Sequence, residues 1–146
     1  MVESGNPMLE YEAFQRVGKL LFSLPSPDDD SVELIVSMLG NVALANIFAY
    51  GDNGQNQTLK GFRVTDEMWD AIVELRRTHY REGSGTWFSA KIVIDLDGST
   101  ASYNYDEEPI FGDTPIDSSE YAIDQELYPR IESKQPDWLK NKLAGK

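Results

Sequence analysis

Carboxylates are the residues of this sequence best placed to do chemistry. Between Ile92 and Pro129 no Lys or Arg occurs, yet ten acids do: Asp95, Asp97, Asp106, Glu107, Glu108, Asp113, Asp117, Glu120, Asp124 and Glu126. Closely spaced carboxylates can ligate a hard cation, work as an acid and base pair, or offer negative charge to a cationic partner. Asp95-Leu96-Asp97-Gly98 invites comparison with a calcium loop, but the spacing fails, because Thr100 stands where such a loop needs its glycine and the flanks read as strands. A hairpin turn explains the same residues. Asp106-Glu107-Glu108 could bind a cation or pair as in a glycosidase, although any acidic chain offers such pairs.

Other chemistries lack their residues. The sequence has no cysteine and a single histidine, His79, so thiolate sites, catalytic triads and multi-histidine metal sites cannot be assembled. His79 reads as a surface or edge residue late in a helix, and Arg76, Arg77 and Arg81 beside it suit the negative end of the helix dipole. Gly51 to Gly54 lacks the Lys-Ser or Lys-Thr of a P-loop, and Gly83-Ser84-Gly85 lacks the spacing of a nucleophile elbow. Tyr103 and Tyr105 read as sheet residues, since base stacking without basic neighbours meets phosphate repulsion. No catalytic residue, metal site or cofactor is therefore expected.

Binding is what remains. With 13 basic and 25 acidic residues the formal charge is −12, which repels nucleic acid and anionic membranes and favours a basic protein. The expected partner-binding set is Asp95, Asp97, Tyr103, Tyr105, Asp106, Glu107, Glu108, Asp113 and Asp117. A solvated, merely solubilising face is the alternative. The 146 residues suit one domain spanning 1–146, and 40% hydrophobic content is enough to fold it. Residues 1–7 hold no basic or apolar leader and no stretch is long enough to span a membrane, so the cytoplasm is the expected location.

These acids must be carried by a definite set of elements. Asn6-Pro7 offers an N-cap and first-turn proline for a helix over about 7–23, with Leu9, Ala13, Val17, Leu20 and Leu21 at helical spacing. Ser26 to Asp30 reads as a turn. Residues 32–39 and 42–50, joined by Gly40-Asn41, read as a hairpin. A polar loop, Gly51 to Gln57, precedes a third strand over 59–64. Thr65 caps a helix running to about Glu82, stopped by Gly83 and Gly85. Phe88, Ala90, Ile92, Ile94 and Leu96 alternate with Trp87, Ser89, Lys91, Val93 and Asp95, and are expected to face the core with Leu20, Leu21, Ile72 and Leu75. Asp97-Gly98 turns this strand into Ala101, Tyr103 and Tyr105. A short helix over 118–127 and a last turn at Pro136 to Leu139 follow, with Trp138 and Leu139 docking the tail. The class is α+β: an antiparallel sheet of about five strands, an N-terminal and a central helix on one face, and short C-terminal helices.

The stretch Gly85-Thr86-Trp87-Phe88-Ser89-Ala90-Lys91-Ile92-Val93-Ile94-Asp95-Leu96-Asp97-Gly98, followed by Ser102-Tyr103-Asn104-Tyr105-Asp106, resembles the core of the YezG-like immunity proteins of bacterial toxin systems. The likeness covers roughly residues 8–109, and the tail departs from the pattern. It implies an antitoxin that neutralises the C-terminal domain of a secreted toxin, frequently a nuclease, and it brings no catalytic residues. A nuclease presents a basic face, which an acidic inhibitor suits. A general adaptor domain is one alternative. A cation-dependent hydrolase using Asp95, Asp97, Asp106 and Glu107 is another.

Overall fold

The computed structural model describes residues 7–25, 29–52 and 57–145. The elements are α1 (Pro7–Phe22), β1 (Ser31–Leu39), β2 (Val42–Asp52), β3 (Gln57–Phe62), α2 (Asp66–Thr78), β4 (Ser89–Asp95), β5 (Gly98–Asn104), α3 (Ser118–Leu127) and α4 (Asp137–Leu143), with a 3-10 turn at Glu132–Lys134. The expected Asn6 cap, and most of the turns at 26–30 and 51–57, lie outside the described residues. The five strands form one antiparallel sheet in the order β3-β2-β1-β4-β5.

Alternation in β1 decides which face is covered. Val32, Leu34, Val36 and Met38 point one way and meet Ile94, Ile92 and Ala90 across the β1–β4 register. α1 and α2 pack on each other and close this face with Ala13, Val17, Leu21, Met68, Ile72 and Leu75. Thr65 caps α2 by accepting from the Met68 amide at 3.2 Å. The helix stops at Thr78, short of the expected Glu82, because the His79 and Tyr80 amides turn back to the carbonyls of Arg76 and Arg77, three residues earlier in each case. Arg81 and Gly85 then exchange backbone hydrogen bonds around a tight turn.

The expected inward row of β4 holds only in its middle. Ala90 and Ile92 are buried in the main core and Ile94 packs at its margin. Leu96 is 88% exposed, because the strand ends at Asp95 and Leu96 sits on the turn. Phe88 is buried in a second, smaller cluster with Leu39, Phe111, Tyr121 and Leu139. Its amide donates to the Asn104 carbonyl, although Ser89 is already the partner of Asn104. Two residues thus oppose one, as in a bulge, and the extra residue rotates Phe88 off the main core face.

Candidate protein-binding site

The far face of the sheet is largely open. Ile35, Leu44, Tyr50 and Leu59 are exposed there, and α3 and α4 cover only the end near Leu39. A groove of about 440 Å³ runs over this face between Ile35 and Leu44 on one side and Glu107, Glu108 and Ile110 on the other. Within the face Glu33 is buried, taking hydrogen bonds from Tyr50 Oη at 2.7 Å and Lys91 Nζ at 2.9 Å. Burial alone would raise its carboxyl, but the Lys91 and Tyr50 bonds outweigh that and hold it below the usual range.

The acidic loop after β5 is fixed from two directions. The Asn104 side-chain oxygen accepts the amides of Asp106 and Glu107 at 3.1 and 2.9 Å, and its nitrogen donates to Ser89 Oγ and to the Glu107 carbonyl. From the tail, Trp138 Nε1 donates to the Asp106 carbonyl at 2.7 Å, and Tyr121 Oη donates to Glu108 at 3.2 Å. Burial, followed by the charge of Glu108, raises the Tyr121 hydroxyl above its ordinary value. Trp138 is itself held by Phe88 and Tyr121, with ring centroids 5.0 and 6.3 Å away. Asp106, Glu107 and Glu108 nonetheless keep exposed side chains.

Not all of the remaining expected residues join this loop in one patch. Asp95 and Asp97 lie at the other end of β5, roughly 20 Å away by strand rise over Gly98–Asn104. Asp95 Oδ1 accepts the Asp97 amide at 2.8 Å, closing the hairpin turn. The four carboxylates of the hydrolase alternative therefore do not converge, and no group of three His, Asp or Glu suited to a metal ion occurs among the described residues. Asp113 is exposed on the following loop. Asp117 caps α3, and the Ser119 amide and hydroxyl hold its carboxyl below the usual range. Tyr103 and Tyr105 face the helices, packed against the main core. Burial pushes the Tyr103 hydroxyl up to about 12.

Two expectations about charge are corrected. His79 is buried, with Nδ1 2.8 Å from the Leu75 carbonyl and its ring 4.3 Å from that of Tyr103. Asp124 is not part of the acidic surface. It receives a bidentate pair from the buried Arg76 at 2.6 and 3.1 Å, and the Gly40 amide at 2.9 Å. Arg77 pairs with Glu74 and Arg81 with Glu10, so all three arginines have acid partners; Arg76 and Arg77 lie in the last turn, where the dipole acts, but Arg81 lies beyond the helix end. Of the ten acids between 92 and 129, Asp124 alone forms an ion pair among the described residues.

A buried arginine, Arg130, whose partners no local spacing foretells, completes the frame. Arg130 donates to the Thr86 carbonyl at 2.7 Å and lies 4.5 Å over the Phe88 ring. Burial, the largest influence on it, lowers its pKa from the ordinary value. Only Gly85 leaves room for it: a β-carbon there would stand 2.3 Å from Arg130 Nε.

No protein-family model matches the chain, and no curated protein does.

Proposed function

We propose that this domain is an immunity-type inhibitor that binds the cationic toxic domain of a secreted bacterial toxin and works by contact rather than by catalysis. The observation that carries this reading is the acidic loop at 106–108. Its side chains are exposed and make no ion pair among the described residues, and its backbone is held by Asn104 and Trp138. A charged loop fixed before binding loses little conformational entropy on association, so more of its attraction appears as affinity. The apolar groove beside it, between Ile35 and Ile110, supplies surface to desolvate once charge has steered the partner in. The resemblance of residues 85–106 to YezG-like immunity proteins points to the same class, and a nuclease is the toxin whose own surface best fits a negative inhibitor.

Co-expression with a toxin domain, should one be encoded in the neighbouring genes, tests the reading. Growth should be rescued, and the two chains should purify as a stable one-to-one complex. Continued toxicity together with no complex overturns it.

A further inference from the structure

β5 is an edge strand whose protection is unusual. Among the described residues Gly98–Asn104 pairs with β4 alone, and residues 98–102 are exposed. Free edges expose unpaired amides and carbonyls, and proteins commonly blunt them with charged side chains, proline or a covering element. The opposite edge follows that rule, with Lys60 in β3 and Arg63 just beyond it. β5 reads Gly-Ser-Thr-Ala-Ser-Tyr-Asn, without charge or proline. Its charges stand at its two ends instead: Asp95 and Asp97 before it, and Asp106, Glu107 and Glu108 after it.

The direction of its free amides follows from the turn. Leu96 and Asp97 form a two-residue connection, so Asp95 and Gly98 are its hydrogen-bonded closing pair. Alternation then turns Thr100, Ser102 and Asn104 toward β4, in keeping with the Asn104 carbonyl accepting the Phe88 amide at 2.7 Å. Ser99 and Ala101 direct theirs outward.

We infer that β5 receives an extended, lysine- or arginine-flanked segment of the partner as a sixth strand of the sheet. This rests on the reading of the domain as a binder of a cationic protein, and it names how that protein is held. Backbone hydrogen bonds along the edge supply the pairing, and the two acidic ends set the preference for cationic flanks. The same ends rule against a second copy of this chain as occupant. Antiparallel self-pairing brings Asp95 and Asp97 of one copy beside Asp106 to Glu108 of the other, and parallel pairing sets like ends together. Both arrangements oppose acid to acid. A strand with cationic ends meets acid at each end in either direction.

The probe is a short alternating Thr-Val peptide with paired lysines at each end. Two controls accompany it, one N-methylated at alternate residues along one edge and one ended in glutamates. Binding to the full chain is read by titration, and pairing by amide hydrogen exchange at Ser99 and Ala101. The lysine-ended peptide should slow exchange at both amides, and N-methylation or glutamate ends should weaken binding about tenfold or more, as the loss of one or two hydrogen bonds or of the charge match requires. Ala101→Pro removes one outward amide without touching the β4 ladder, a place where an edge strand tolerates proline, and it should weaken binding similarly while circular dichroism stays unchanged. If that variant fails to fold, the N-methylated peptide decides. Equal binding by the N-methylated peptide, or unchanged exchange at Ser99 and Ala101, overturns edge pairing and leaves the cationic-partner reading standing. No binding by any peptide also overturns edge pairing, while rescue by co-expression judges the inhibitor reading separately.

Discussion

Asp124 belongs in sequence to the acidic run, yet in the fold it ties three distant segments together. Through Arg76 it joins α3 to α2, and through the Gly40 amide it joins both to the β1–β2 turn. Gly40 has φ +58°, and a β-carbon there would stand 2.6 Å from the Glu120 carbonyl oxygen, so no other residue lets α3 come this close. Removing one member of a buried pair leaves an uncompensated charge, so Asp124→Ala should cost about 3–5 kcal/mol in urea unfolding. Replacing both partners with apolar residues, as in Arg76→Met with Asp124→Leu, should cost less than the single change. Glu33 makes a second residue-scale prediction. Its carboxyl is lowered in the fold from the ordinary 4.5, so it takes up a proton less readily there than in the unfolded chain. Its contribution is therefore complete above that value and disappears as pH falls through the lower folded one. The difference in melting temperature between the wild type and Glu33→Gln should be largest near about pH 7 and shrink as pH drops below 4.5.

At the scale of elements, β4 separates what alternation can reveal from what it cannot. Period-two spacing places Ala90 and Ile92 on the main core, because a strand has no freedom to present them otherwise. Ile92 is fully buried, so Ile92→Ala should cost about 2–5 kcal/mol, whereas Leu96→Ala on the exposed turn should stay within about 0.5 kcal/mol. Equal losses at the two sites would mean that the strand continues past Asp95. The same periodicity misplaced Phe88, since a bulge depends on how two strands meet and leaves no mark in one strand's pattern. The helix pair, the five strands and the boundaries of α3 were legible because they rest on local spacing, caps and turns. The frame around the acidic loop was not. Trp138 reaches Asp106, Arg130 reaches Thr86 and Asp124 reaches Gly40 across 32, 44 and 84 residues, and no local pattern encodes such partners. The elements of the tail beyond residue 118, and the docking of Trp138 and Leu139, were legible, but not that this tail holds the candidate site in place.

For the molecule as a whole, charge is the term that acts at a distance. A net charge of −12 makes the folded chain repel itself, so its melting temperature should rise as salt increases from about 0.01 M to 0.15 M, where the screening length contracts from about 30 Å to about 8 Å. Reversing Asp106, Glu107 and Glu108 to lysine halves that charge to −6, because each reversal adds two positive units. All three side chains are exposed, so the fold should survive, with each change within about 0.5 kcal/mol, and the salt dependence of melting should flatten. Partner association separates a steering role from a contact role. Rim charges act mainly on the association rate and lose their effect as salt rises, whereas a desolvated pair acts on dissociation and keeps its effect at any salt. The triple variant should therefore bind a cationic partner more slowly, with the largest deficit at low salt, if the loop steers. It should also dissociate faster at every salt concentration if Glu107 and Glu108 are buried beside the groove in the complex. A folded variant that matches the wild type in both rates throughout would show that the loop serves only solubility and that the partner sits elsewhere.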